Sequence, residues 1–277
     1  MPEPRDRLGS ARNPGSTRVA SRDGRQKWIQ YPKPNPDARL RLVCLTYSGG
    51  RASVFKGLAA GLPDDVEVCA IEFPGHGRRL GETPLTRLEP LVEQVTDVIG
   101  EWVRPPFVLL GYSVGALIGL EVAHELARRG LPGPAALFVA AARAPHRRSA
   151  RPPLHELSRD ELIAGLHQLA GVHNDLLDNE ELADVMLPVI RADLGLDETY
   201  QARLGRLLGC PIAAFGGRED RSVPHADLLS WREHTTGGFS ATTLPGAHFF
   251  LDSARQRFTE AVAAEIRRLD EERGAGS

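Results

Sequence analysis

The chain has 277 residues, of which 42% are hydrophobic and 25% are charged, and its formal net charge at pH 7 is −2. This composition is typical of a globular protein with a large core, and the near-neutral charge excludes a nucleic-acid binder that relies on bulk electrostatic attraction. No apolar run approaches the roughly 20 residues that span a bilayer. We therefore expect neither a nucleic acid nor a membrane as a partner.

The N-terminal segment is rich in Arg, Pro, Gly and Ser and contains no apolar stretch that could form the core of a signal peptide. Its composition predicts disorder over residues 1–26, followed by a single domain over residues 27–277. The three cysteines, Cys44, Cys69 and Cys210, lack the C-x-x-C spacing of a zinc site. We interpret them as structural thiols of a protein in the reducing cytoplasm.

Short apolar segments alternate with helical patterns along most of the chain. The segments typical of buried strands are RLRLVCLTY (39–47), VEVCAIEF (66–73), FVLLG (107–111), AALFVAAA (135–142) and PIAAFGG (211–217). FSATTLPGA (239–247) is a further predicted strand, which ends in a Pro-Gly turn. Apolar residues at helical spacing occur over residues 88–103 and 115–130, and Gly130 fits a helix C-cap. The alternation predicts an α/β fold, with a mostly parallel sheet flanked by helices.

One region, from residue 154 to about residue 208, breaks this alternation because it contains only helical signals. SRDE at residues 158–161 matches a capping box, and DNEE at residues 178–181 is a second candidate helix start. Pro188 interrupts the following apolar run and should kink or break that helix. Because the block is too long for two simple crossover helices, we interpret it as a helical lid inserted into the domain.

The stretch LLGYSVGA places Ser113 between Gly111 and Gly115, after a predicted strand and before a predicted helix. One interpretation is an ordinary turn in which the serine caps the helix. The other is the nucleophile elbow G-x-S-x-G, where side chains two positions from the serine would collide. The order strand, turn, helix favours the elbow. It also makes the backbone N–H of Val114 available to an oxyanion at the helix N-terminus.

A serine nucleophile needs a base and an orienting acid, and in α/β-hydrolases the acid precedes the histidine in the chain. Among nine histidines, His248 is the candidate base, because it lies between the last strand and the last helix. The turn after PIAAFGG offers two acids, and we favour Asp220, with Glu219 as the alternative. The YSGG loop at residues 47–50 follows the first core strand and offers a backbone N–H near Ser48 as a second oxyanion donor.

In this order the motifs resemble those of the type II thioesterases, stand-alone editing partners of polyketide and nonribosomal peptide synthases. The resemblance covers residues 28–269. RLVCLTYSGGRASVF resembles the oxyanion loop of that family, EFPGHGRR its second-strand turn and GYSVGA its elbow. LPVIRADLGLDETY resembles the end of its lid, GGREDRSVP its acid turn and GAHFFL its histidine loop. By position, Ser113, Asp220 and His248 match its catalytic triad.

The sequence departs from the family pattern beside the elbow and in the oxyanion loop. Tyr47 and Ser48 stand where the family usually has histidine and alanine, and Tyr112 replaces a more usual histidine before the serine. Because the oxyanion donors are backbone N–H groups, we expect the hole to survive these changes. We expect these changes to alter the wall of the pocket instead.

The resemblance implies an α/β-hydrolase fold and hydrolysis of acyl groups from the phosphopantetheine arms of carrier proteins. It implies a Ser-His-Asp mechanism that requires no metal or organic cofactor, and we expect a monomer. Two alternatives remain open. An esterase or acyltransferase could use the same scaffold, because fold does not fix chemistry, and a catalytically silent relative could serve as a binding protein.

A cluster of arginines follows the fourth predicted strand at its carboxyl end. The cluster lies in ARAPHRRSAR and consists of Arg143, Arg147, Arg148 and Arg151. It predicts a docking patch for an acidic carrier protein, and the alternative is a solvated loop without a specific partner.

Overall fold

A computed structural model of the protein describes residues 22–147, 152–170, 179–202 and 205–275. Residues 1–21 lie outside the described residues. The first described element is helix α1 (Arg22–Trp28), which overlaps the last five residues of the segment predicted to be disordered. Arg148, Arg151 and His173 also lie outside the described residues, as do two short parts of the predicted lid.

Seven strands of the described chain form one sheet, in the spatial order β1-β3-β2-β4-β5-β6-β7. Their bounds are β1 (Ile29–Gln30), β2 (Leu40–Leu45), β3 (Val66–Ile71), β4 (Phe107–Tyr112), β5 (Leu137–Ala140), β6 (Ile212–Gly217) and β7 (Phe239–Leu244). Every neighbouring pair is parallel except β1 and β3, which are antiparallel. The predicted mostly parallel sheet is confirmed, and β1 is an edge strand that the sequence did not indicate.

Helices cover both faces of the sheet. After α1 the described helices are α2 (Lys56–Gly61), α3 (Leu88–Trp102), α4 (Val114–Arg128), α5 (Arg159–Ala170), α6 (Glu180–Glu198), α7 (His225–Leu229), α8 (Phe250–Ser253) and α9 (Arg255–Ala275). Side chains of β4 alternate between two apolar layers, with Leu109 packed among residues of α3 and α4 and Val108 and Leu110 packed among residues of α2 and α9. Burial on both faces explains why the strand is apolar throughout.

The helical block between β5 and β6 begins its helices where the sequence predicted. The Ser158 hydroxyl donates to the Glu161 carboxylate at 2.7 Å, and the Asn179 side chain accepts from the Leu182 N–H at 3.0 Å. Helix α6 then runs unbroken through Pro188, so of the predicted kink or break the break is wrong. Because Pro188 is exposed, the carbonyl that loses its helical hydrogen bond can bind water instead.

The block has a small apolar core of its own, formed by Leu162, Ala183 and Leu187. This cluster is separate from the two layers that cover the sheet. Within the described ranges, no helix combines the length and hydrophobicity that crossing a membrane requires.

Candidate active site

Ser113 lies at the carboxyl end of β4, directly before the first residue of α4. Its backbone angles are φ 54° and ψ −121°, which a residue with a side chain rarely adopts. A Cβ atom at Gly111 would lie 2.2 Å from the Gly115 carbonyl oxygen and 2.4 Å from the Ala116 nitrogen. The turn is therefore as tight as the elbow interpretation required, and glycine at position 111 is a steric necessity.

The three residues predicted as a triad form one relay, in which the acid and the base are buried and the serine is partly exposed. His248 Nε2 is 3.2 Å from Ser113 Oγ, and His248 Nδ1 is 2.8 Å from Asp220 Oδ2. Only 3% of His248 and 8% of Asp220 are exposed. Because an ionised carboxylate can only accept, this contact keeps the proton on Nδ1 and leaves Nε2 as an acceptor that faces the serine hydroxyl.

The surroundings of Asp220 favour its ionised form. Burial acts to raise the pKa of its carboxyl group, but the hydrogen bond and charge of His248 and the hydrogen bonds from Ser222 lower the pKa overall. The carboxylate can therefore orient the imidazole and stabilise its protonated form.

Glu219, the alternative acid, has a different position. Its N–H donates to the Gly246 carbonyl at 3.1 Å, and its carboxylate accepts from the Gly246 N–H. These two bonds brace the loop that carries His248. The loops are close enough that a Cβ atom at Gly217 would lie 2.4 Å from the Ala247 carbonyl oxygen. Of the two candidate acids, the structure brings only Asp220 to the imidazole.

The loop predicted to supply one oxyanion donor is a tight turn. The Gly50 N–H donates to the Tyr47 carbonyl at 2.8 Å, and Gly49 has φ +73°, as the third residue of a type II turn requires. Ser48 is the second residue of this turn. Gly49 also lies under the helical block, because a Cβ atom there would lie 2.5 Å from Ile190 Cγ1.

Ser48 and Val114 lie on the same edge of the sheet. Val114 opens α4, and the first turn of this helix packs against the end of β2, where a Cβ atom at Gly115 would lie 2.3 Å from the Leu45 carbonyl oxygen. Strands β2 and β4 are neighbours, so the loop after β2 and the elbow after β4 are adjacent. The arrangement can present two backbone N–H groups to an oxygen atom beside Ser113.

A buried ion pair that sequence reasoning missed joins the helical block to this loop. Asp193 of α6 accepts at Oδ2 from the Gly49 N–H at 2.7 Å, and the same oxygen is 2.7 Å from His76 Nε2. His76 Nδ1 is 3.0 Å from the Pro74 carbonyl oxygen. Burial acts to lower the pKa of His76, but the hydrogen bond and charge of Asp193, helped by Pro74 and Glu72, raise it overall. Both ring nitrogens face acceptors, which suits an imidazolium.

Two further residues, Tyr112 and Ser222, contact His248, and the sequence assigned neither of them a role in the relay. Tyr112 is buried and donates its phenol proton to the His248 carbonyl, while its oxygen accepts from the Leu251 N–H at 3.3 Å. Ser222 Oγ lies 3.0 Å from His248 Nδ1. Only the loop order of the acid turn could have suggested Ser222, because it follows Asp220 by two positions.

The arginine cluster is described only in part. Arg147 donates to Ser230 Oγ at 2.9 Å and is 3.5 Å from the Glu233 carboxylate, so its charge is partly compensated. Arg143 is half-buried.

Within the described ranges, no group of three or more His, Cys, Asp or Glu side chains could hold a metal ion.

Comparison with known proteins shows the family to which the chain is similar. The family model of the thioesterase domain matches residues 40–269. The gramicidin S biosynthesis protein GrsT of Aneurinibacillus migulanus is 36% identical over 241 residues, which cover 87% of this chain and 94% of GrsT.

Solved structures give the same result. The type II thioesterase BorB from the borrelidin biosynthetic cluster is 36% identical, with a TM-score of 0.78 over 86% of this chain and 96% of BorB. RedJ, a thioesterase of the prodiginine pathway of Streptomyces coelicolor, is 37% identical, with a TM-score of 0.79 over 90% of this chain and 100% of RedJ. These likenesses confirm the predicted α/β-hydrolase fold. The chain belongs to the thioesterase family and, within it, to the type II thioesterases.

Proposed function

We propose that this thioesterase releases acyl groups from the phosphopantetheine arms of carrier proteins in a polyketide or nonribosomal peptide synthase. Its role would be to clear stalled or mis-primed chains. The observation that carries the proposal is the hydrogen-bonded relay from Ser113 through His248 to Asp220. Ser113 lies in the tight turn that requires glycine at position 111. The names of GrsT and BorB, which refer to gramicidin S and borrelidin biosynthesis, support the same setting.

The first half of the reaction forms an acyl-enzyme. His248 Nε2 takes the Ser113 proton while Oγ attacks the thioester carbonyl carbon, and the carbonyl oxygen becomes an oxyanion. The carbon–sulfur bond then breaks, and the imidazolium gives its proton to the departing thiolate. Asp220 stabilises the imidazolium throughout and does not itself take up the proton.

The second half regenerates the serine. His248 takes a proton from water as the water oxygen attacks the acyl-serine carbonyl. The carbon–oxygen bond to Ser113 breaks, Oγ recovers a proton from the imidazolium, and the free acid leaves. We assign the oxyanion in both halves to the backbone N–H groups of Ser48 and Val114, which flank the serine at the carboxyl edge of the sheet.

We propose that the helical block over residues 154–208 is a lid above the acyl pocket. Two observations support this assignment: Ile190 packs on Gly49 in the oxyanion loop, and the block has a separate apolar core. An element of this kind can gate substrate access without touching the chemistry. Amide hydrogen exchange tests it, because α5 and α6 should open together at a lower free energy than β4. Equal protection of the block and the strand would make it a fixed insertion.

The protein should work as a cytoplasmic monomer. Every residue of the proposed relay comes from one chain, so no second copy is needed to complete the site. All three cysteines are free thiols, which fits a reducing compartment.

A matched substrate panel tests the proposed function. It consists of one acyl group on a carrier protein, on a small cysteamine thiol and as an oxygen ester. We expect hydrolysis of both thioesters, a higher kcat/KM for the carrier protein, and much slower attack on the oxygen ester. Equal rates on the two ester classes would indicate a general esterase. Labelling of Ser113 by a fluorophosphonate without turnover of any substrate would indicate a binding protein.

A further inference from the structure

The hydroxyl group of Ser222 contacts both Asp220 and His248 in the buried part of the relay. Its Oγ donates to Asp220 Oδ1 at 2.5 Å and lies 3.0 Å from His248 Nδ1. Only 6% of Ser222 is exposed, so water does not compete for these contacts. The hydroxyl is therefore part of the network that holds the imidazole.

The directions of these hydrogen bonds follow from the donors available. A serine hydroxyl has one proton and two lone pairs. The ionised carboxylate of Asp220 can only accept, so the hydroxyl proton lies on the short contact to Oδ1. A lone pair of Oγ then faces the Nδ1–H of His248, which also donates to Asp220 Oδ2 at 2.8 Å. The Nδ1–H thus has two acceptors, and each restrains the ring.

The backbone of the acid turn holds Asp220 independently of the Ser222 side chain. Asp220 Oδ1 also accepts from the backbone N–H of Ser222 at 2.8 Å and from that of Val223 at 3.3 Å. Any residue at position 222 can supply the first of these bonds, apart from proline. Removal of the hydroxyl alone should therefore leave the turn intact while it removes one acceptor from the imidazole.

We propose that Ser222 is a positioning residue, which holds the His248 imidazole in the orientation from which Nε2 takes the Ser113 proton. When the ring becomes an imidazolium, its Nδ1–H becomes a stronger donor, so a second acceptor stabilises the transition state more than the ground state. Ser222 acts through Asp220 and His248 and touches no reacting atom. The inference rests on the proposed roles of Ser113 and His248.

Two variants and one control separate this role from a structural one. Ser222→Ala should lower kcat on a small acyl-cysteamine thioester about tenfold, the scale of a lost hydrogen bond to a charged group, with KM within about twofold of the wild type. Ser222→Thr, which keeps the hydroxyl, should restore most of the rate. Ser230→Ala is the matched control, because Ser230 is also buried and its hydroxyl donates to the Ala226 carbonyl at 2.9 Å, outside the relay.

A second readout does not depend on the substrate. The rate at which a fluorophosphonate labels Ser113 reports the activation of the serine by His248, and Ser222→Ala should slow it by about the same factor. If the wild type labels but hydrolyses no thioester, and labelling still responds to Ser222→Ala, the proposed function fails and the positioning role stands.

A double-mutant cycle tests whether Ser222 acts through the relay. Because Ser222 acts through the relay, Ser222→Ala should have little further effect on kcat in an Asp220→Asn background. The proposal is overturned if Ser222→Ala leaves kcat and labelling unchanged, if the loss appears in KM, or if the loss is equally large without the Asp220 carboxylate. A loss matched by Ser230→Ala would also overturn it.

Discussion

Two regions of the molecule, the carboxyl edge of the sheet and the helical block, meet at Gly49, and they are held together in different ways. At the carboxyl edge of the sheet, hydrogen bonds join the loops that carry Asp220 and His248 to each other and to Tyr112 at the end of β4. The loops after β6 and β7 lie so close that a Cβ atom at Gly217 would be 2.4 Å from the Ala247 carbonyl oxygen. The helical block instead has a small core of its own, formed by Leu162, Ala183 and Leu187, and Leu196 of α6 packs into the layer of α3 and α4. Its buried polar link to the sheet edge is made by Asp193, which contacts the Gly49 N–H and His76 Nε2.

This difference suits two tasks: the sheet edge carries out the chemistry, and the helical block controls the access of substrate. Proton transfer between Ser113 and His248 requires a fixed geometry, so the relay is built on loops that brace one another. Acyl chains of different kinds must enter and leave, and an element with its own small core can move by breaking few contacts. The two regions should therefore respond differently to substitution, rates falling at the edge and stability falling at the block.

The largest effect is expected from the elbow. Ser113→Ala removes the attacking oxygen and should lower kcat on the order of 10⁶-fold, as loss of a triad serine does in a protease. Intact mass spectrometry of the wild type should find the acyl group on Ser113. Ser253→Ala, at an exposed serine near the histidine loop, should retain the wild-type rate. An acyl label on another serine would show that the elbow is not the nucleophile.

Substitutions in the acid turn should distinguish the roles of its two neighbouring carboxylates, Asp220 and Glu219. Asp220→Asn keeps the shape but removes the charge that supports the imidazolium, and we expect kcat to fall on the order of 10⁴-fold. Glu219→Gln keeps an oxygen that can still accept from the Gly246 N–H, so its effect should be small. The comparison is made by steady-state kinetics on one thioester at one pH. A larger loss in the glutamine variant would assign the acid to Glu219.

Much of this edge could be predicted from sequence because each feature is local. The apolar run before Ser113, the glycines beside it and the helical pattern after it lie within one short stretch, and the same is true of the turn at Asp220 and the loop at His248. Parallel strands end at one edge of a sheet, so the order of the motifs was enough to bring the three residues together.

The rest depends on contacts between distant parts of the chain. His76 and Asp193 are separated by 117 positions, and neither carries a local mark of its partner. Strand β1 has only two residues, too few for a periodic pattern. The local rule for proline predicts a kink or break at Pro188, but α6 stays continuous there, with Leu187 and Val189 buried on either side.

A substitution in the helical block should lower the stability of the protein. Asp193→Ala leaves the His76 imidazolium buried without its partner and should lower the free energy of unfolding by about 3 kcal/mol, as removal of one member of a buried ion pair does. Asp184→Ala is the control on the same helix, because Asp184 is 69% exposed in its ion pair with Arg159 and should cost less than about 1 kcal/mol. Urea unfolding measures both. Equal losses would mean that the buried pair does not hold the block.

The same pair predicts a dependence on pH. The pKa of His76 is raised in the folded protein above its ordinary value of 6.5, so its contribution is complete below that value and is lost as the pH rises through the raised pKa. The difference in stability between the wild type and Asp193→Ala should therefore shrink as the pH rises above 6.5. A difference that grows with pH would show that His76 is neutral when it contacts Asp193.

The smallest effect is expected at the rim, where a partner would dock. Arg147→Glu should raise the KM for an acyl-carrier protein about two- to fivefold. It should also weaken the dependence of that KM on salt, because the attraction that salt screens has been removed. The effect is modest because Glu233 already compensates part of the Arg147 charge. Hydrolysis of a small acyl-cysteamine thioester, which does not reach this loop, should be unchanged.

Arg128→Glu is the control for this reversal of charge. Arg128 is also exposed and also paired, with Glu125 at 2.6 Å, but it ends the helix that Val114 begins. At 1.5 Å per residue it lies about 20 Å along the helix from the elbow, towards the opposite edge of the sheet. A KM raised equally by both variants would reflect net charge alone. Equal damage by Arg147→Glu to the small thioester would mean that the contacts of Arg147 with Ser230 and Glu233 support the fold, and docking would then have to be sought on another surface.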